Sequence, residues 1–102
     1  MYKDVERRGI MYKVIYMKAD YEPWWQFEGW QDYVVSESIF TDEREAQGYL
    51  AKKIQEFSTE FCYNRKNKER FWAFWSEGDE DFCEQCADSV QIYHGLIWQE
   101  EQ

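Results

Sequence analysis

"TDEREAQGYLAKKIQEFSTEFC", residues 41–62, decides the fold. Its apolar positions are Ala46, Tyr49, Leu50, Ile54, Phe57 and Phe61, separated mostly by steps of three and four. That spacing lines them up on one side of an α-helix. Lys52, Lys53, Gln55 and Glu56 fall largely off the stripe. Asp42 and Glu45 have capping-box spacing, and Thr41 is a competing N-cap. A helix over 42–62 therefore has one face to bury. Gly48 inside it costs about 1 kcal/mol against Ala, which fits either a close approach or simple tolerance.

Strand patterns flank the helix. "MYKVIYMK" (11–18) sets Tyr12, Val14 and Tyr16 on one face and Ile15 and Met17 on the other. Apolar residues on both faces predict a strand inside a sheet. "YVVSESIF" (33–40) predicts a second strand through its β-branched residues. "RFWAFW" (70–75) predicts a third, buried on both faces. Residues 64–70 predict a polar connector, and "SEGDED" (76–81) a turn around Gly78. Residues 82–94 predict an extended start that becomes a short helix near Cys86, with Gly95 as its stop. "LIWQ" (96–99) predicts the last strand. The expected fold class is α+β: a mainly antiparallel sheet of about four to five strands, one long helix packed on one face, and a short C-terminal helix.

One hundred and two residues suit a single domain with one core. "MYK" occurs at 1–3 and again at 11–13. Residues 1–10 are expected as a flexible arm or alternative start, and 11–102 as the domain. The 21 aromatic residues outnumber the 13 Val, Ile and Leu, so rings must fill much of the interior. Trp is seldom fully buried, which leaves rings for a surface. Net charge is −9, and no Lys or Arg follows Arg70. That balance disfavours a nucleic-acid partner, whose phosphates call for a positive face; it fits a solvated acidic face that aids solubility, with a surface for a basic partner as the functional alternative. The longest purely apolar run, "FWAFW", is too short to cross a bilayer. The N-terminus lacks the apolar stretch of a secretory signal. Three cysteines cannot all pair within one chain, so a cytoplasmic protein with reduced thiols is expected.

The long connection between the first two strands carries "EPWWQFEGW" (22–30). Pro23 is the chain's only proline. Loops of this length are functional or packed by their own side chains. Adjacent Trp24 and Trp25 point apart in an extended segment, so one is expected inward and the other outward. The segment is then a lid closing the core, or an aromatic groove flanked by carboxylates. The candidate binding residues are Trp24, Trp25, Trp30, Glu22 and Glu28, for a protein or peptide partner.

Three other constellations carry chemistry. Arg65, Lys66, Lys68 and Arg70 with Trp72 offer a basic turn beside rings, an alternative nucleic-acid surface. The segment partly echoes the aromatic strand of an RNA-recognition fold, with Phe71 where a glycine belongs. Cys62, Cys83 and Cys86 are expected as buried structural thiols; with His94 they make an alternative zinc set, although a single CxxC is a weak signal. A thioredoxin-like fold does not fit, because only sixteen residues follow Cys86. His94, the only histidine, has Cys86 or Ser89 as a nucleophile partner but no third orienting residue. A packed, hydrogen-bonded His94 is the simpler expectation. The acidic turn lacks a calcium-loop ligand pattern. No cofactor and no enzymatic activity are expected.

"MYKVIYMKADYEPWWQFEGW", "FWAFW", "CEQC" and "YHGL" together resemble an uncharacterised bacterial family, domain of unknown function 1033, found mainly in Gram-positive species. The resemblance runs from Met11 to about Trp98. Glu-Pro-Trp-Trp and Tyr-His-Gly-Leu are its most specific parts. Family members typically begin near the equivalent of Met11. The resemblance implies a cytosolic bacterial protein. Some members carry a DNA-binding label, and no mechanism comes with it.

Overall fold

A computed structural model describes residues 10–77, 80–83 and 88–101. The elements run β1 (Met11–Ala19), β2 (Val34–Phe40), α1 (Glu43–Glu60), β3 (Tyr63–Asn67), β4 (Phe71–Trp75), β5 (Glu80–Cys83), β6 (Asp88–Gln91) and β7 (Tyr93–Glu101). Five strands form one antiparallel sheet in the order β2-β1-β7-β4-β3. β5 and β6 pair as a separate hairpin. The class is α+β, as the pattern predicts.

β1 and β7 lie at the centre and are paired along their whole lengths, from Met11 opposite Glu101 to Ala19 opposite Tyr93. Both faces of these strands are covered. On one face Val14, Phe74 and Leu96 meet Leu50 of α1. Tyr49, Ile54, Phe57 and Phe61 complete that layer, which is the stripe expected from sequence. Rings dominate it: Phe57 meets Tyr16 edge-on at 5.3 Å and Phe74 edge-on at 5.4 Å. On the opposite face Ile15, Met17, Ala19, Phe71 and Ile97 form a second cluster. Tyr21, Trp24, Trp30 and Val34 cover it. The segment between β1 and β2 is thus a lid on the face that α1 leaves open.

Local chemistry sets the element ends. Asp42 caps α1, its carboxylate accepting from the Arg44 backbone N–H at 3.0 Å. The hairpin between β3 and β4 turns through Lys68 and Glu69, both at positive φ (54° and 56°). This is the sign pattern of a type I′ turn, which Asn and Gly adopt more readily. A register shift opposite Tyr16 and Met17 leaves Val35 as an extra residue on β2, a β-bulge near the end of the lid.

Two expectations are corrected. The short C-terminal helix with Gly95 as its stop is replaced by strand: β6 and β7 occupy this region, and Gly95 lies inside β7. His94, Gly95, Leu96 and Ile97 are all buried, because α1 and the lid cover opposite faces. A strand covered on both sides loses the alternation that identifies it. The expected polar connector at 64–70 is mostly strand β3 and its turn. β3 is an edge strand with exposed polar residues, a composition that protects an edge and hides it from hydrophobic pattern reading. The arm at 1–9, Gly78 and residues 84–87 lie outside the described residues.

Candidate functional site: the aromatic lid

The lid begins where β1 ends. Pro23 is buried against β7. A β-carbon on Gly95 would lie 2.7 Å from Pro23 Cβ and 2.8 Å from Pro23 Cγ. The proline ring therefore rests on the bare backbone of the strand, and only glycine leaves room for it. This explains why Gly95 belongs to a central strand, where glycine otherwise weakens packing.

From that anchor the chain turns tightly. The Trp25 N–H donates to the Glu22 carbonyl at 3.3 Å, and the Trp30 N–H to the Phe27 carbonyl at 2.9 Å. Gln26 and Gly29 take positive φ, 43° and 86°. A 3-10 turn over Trp30–Tyr33 leads into β2. These turns divide the rings. Trp24 and Trp30 are half-buried on the Ile15–Met17 cluster. Trp25 and Phe27 stay 54% and 53% exposed. The two neighbouring tryptophans thus divide inward and outward as expected, but through a tight turn at Pro23–Trp24 and not an extended segment.

Trp25 and Phe27 lie parallel, within 1°, with centroids 5.9 Å apart. A planar guest sandwiched between them would need ~7 Å, two contact distances of about 3.5 Å. The pair is therefore an offset stack presenting one joint surface, not a slot. Phe27 meets Tyr21 edge-on at 4.9 Å, and Tyr21 meets Tyr33 at 5.9 Å. Four rings in contact run across the lid, with Trp25, Phe27 and Tyr33 exposed. Glu22 accepts from Trp25 Nε1 at 3.1 Å and fixes that indole. Glu28 is exposed beside the pair in sequence. Burial pushes the Tyr93 hydroxyl pKa up, and the Glu22 carboxylate adds to the rise. The Tyr21 hydroxyl is raised too, by burial and then by Tyr33 and Asp20.

Of the five lid residues singled out from sequence, the structure puts Trp25 and Glu28 on the surface. Glu22 is half-buried and bonded to Trp25, while Trp24 and Trp30 serve the core. Phe27, Tyr21 and Tyr33 were not on that list. The spacing of two between Trp25 and Phe27 was the available signal for the first. Only the fold reveals the other two.

The basic turn is less coherent. Arg65 lies opposite Ala73 and Lys66 opposite Trp72, so they point to different faces of the sheet. Lys66 pairs with Glu69 at 3.2 Å. Arg70 lies over the Phe71 ring at 5.7 Å. Trp72 is half-buried in the helix-side cluster. Lys68 is exposed in the turn.

Of the thiol set, Cys62 and His94 have described side chains. Cys62 is exposed, against the expectation of a buried thiol, because it lies just past the end of α1, and its backbone N–H donates to Ser76 Oγ at 3.1 Å. Cys83 ends β5, and Cys86 lies outside the described residues. His94 is buried at 8% exposure. It shares a 2.8 Å hydrogen bond with Tyr16 Oη through Nδ1 and stacks on Phe61 at 4.3 Å. Among the described residues, no group of three His, Cys, Asp or Glu side chains converges on a metal-sized site. The Tyr16–His94 pair had no sequence signal, since 78 residues separate its members.

The family described as "Protein of unknown function (DUF1033)" matches residues 11–102. The chain belongs to this family. The DUF1033 match takes in every strand, α1 and the whole lid, and leaves out residues 1–10. No curated protein and no solved structure matches the chain. Among the described residues, no helix is long and apolar enough to cross a membrane.

Proposed function

We propose that this DUF1033 protein is a small non-enzymatic binding module that docks a protein or peptide on its lid. Trp25 and Phe27 are the anchors, and Glu22 and Glu28 form the acidic rim. One observation carries the reading: two large rings stand exposed side by side on a loop otherwise clamped to the sheet. Interfaces concentrate binding energy in such rings, and a clamped loop loses little freedom on docking. The net charge of −9 and the carboxylates Asp20, Glu22, Glu28 and Asp32 along the lid favour a partner segment with cationic side chains, which also sit well on aromatic faces. The reading places the protein in the cytoplasm, where the exposed Cys62 thiol stays reduced, and gives it no cofactor.

Affinity capture from native cytosol tests it, using the full chain and the Trp25→Ala/Phe27→Ala variant. Partners retained by the parent and lost by the folded variant support the lid. The same partners retained by both would overturn it. The basic turn remains the second surface. Its separation of Arg65 from Lys66 argues against one continuous phosphate-tracking stripe. Salt-dependent binding of a fluorescent oligonucleotide, abolished by Arg65→Ala/Lys66→Ala, would favour that reading instead.

A further inference from the structure

Between α1 and the sheet, on the face opposite the lid, lies a cavity of about 190 Å³. Tyr49 and Phe57 of α1, Phe61 just past its end, and Leu96 of β7 supply apolar walls. Ser36, Tyr16 and His94 supply a polar row across three adjacent strands. Ser36 stands directly opposite Tyr16 in the β1–β2 register, and Tyr16 is bonded to His94. We propose that this cavity binds a neutral single-ring aromatic bearing a hydroxyl group, of which phenol is the simplest.

Size, walls and charge each narrow the class. A cavity of about 150 Å³ accommodates benzene, so the larger volume here leaves room for a ring and one substituent. Aromatic walls favour a flat, apolar body. The polar row favours a hydroxyl, which donates and accepts alike and so suits the hydroxyl groups of Ser36 and Tyr16 on the lining. A carboxylate is disfavoured. The one lysine on the lining, Lys53, is already paired with Glu56 at 3.5 Å and lies 5.5 Å over the Tyr49 ring. Glu60 adds a negative charge to the lining, which repels an anion.

Amide-resolved NMR titration of the full chain with phenol and, separately, with benzoate tests the proposal. Phenol is expected to give saturable shifts at Tyr16, Phe57, His94 and Leu96 with half-saturation near or below about 1 mM, and benzoate to bind about tenfold more weakly or less. Intermolecular NOEs from phenol to Leu96 and Phe57 are expected. Ser36→Trp, a change at an exposed edge-strand position that fills the cavity, is expected to weaken phenol at least about tenfold. If that variant does not fold, the NOEs in the parent protein decide. Shifts that stay linear to about 10 mM, or that map to Trp25 and Phe27, overturn the site. Undiminished phenol binding by folded Ser36→Trp also overturns it, and benzoate binding as tightly as phenol overturns the ligand class.

Discussion

A methyl group on Gly95 would meet Pro23 at 2.7 Å and 2.8 Å, and Met17 Cγ at 3.2 Å. The proline is a ring closed onto its own backbone and cannot swing aside as a long side chain does. Gly95→Ala should therefore lift the lid from β7 and cost about 1–3 kcal/mol, the usual range for overpacking. Urea denaturation checks the value, and tryptophan fluorescence should report wetter indoles in the same variant. Tyr93 adds a pH dependence. Burial and Glu22 raise its hydroxyl above the usual 10.0. Above about pH 10 the unfolded chain loses this proton while the folded chain keeps it. Stability is thus fully present below that pH and falls as pH rises through the folded value. Tyr93→Phe should flatten this alkaline loss in melts between about pH 9 and 11, and Tyr21, also raised, should leave a residual slope. Sequence alone marked Pro23 as the only proline and took Gly95 for a helix stop. It could not show that one sits on the other, because the contact joins segments 72 positions apart.

At the scale of elements, legibility followed burial. α1 was readable because one side faces the sheet and the other faces water, which imposes a period of 3.6 on the apolar residues. β1 and β4 were readable through their runs of β-branched and aromatic residues. β3 escaped because its edge position makes it polar, and the start of β7 escaped because cover on both faces removes alternation. Gly48 was ambiguous from sequence and is settled by space: a β-carbon there meets nothing within 4 Å. Close approach is therefore not its reason. Gly48→Ala should stabilise the protein by about 1 kcal/mol through helix propensity alone, visible as a higher urea midpoint with an unchanged slope. No such gain would mean that the helix bends or packs differently at this position.

On the scale of the whole molecule, the sheet is covered by a helix on one face and a ring-rich loop on the other. The surplus of aromatic residues made surface rings predictable. Which rings would be surplus was not, since that depends on the turns at Gln26 and Gly29. The lid divides its rings: Pro23, Trp24 and Trp30 hold it to the sheet, and Trp25 and Phe27 stand exposed on its surface, where a partner is proposed to dock. Equilibrium urea denaturation of Trp24→Ala beside the Trp25→Ala/Phe27→Ala double variant tests that division most directly. Trp24→Ala should lose about 2–4 kcal/mol, somewhat less than a fully buried ring. The double variant should lose only about 1 kcal/mol, the worth of an exposed ring pair. Equal losses in the two would contradict the division, because Trp25 and Phe27 would then be structural and not a docking surface.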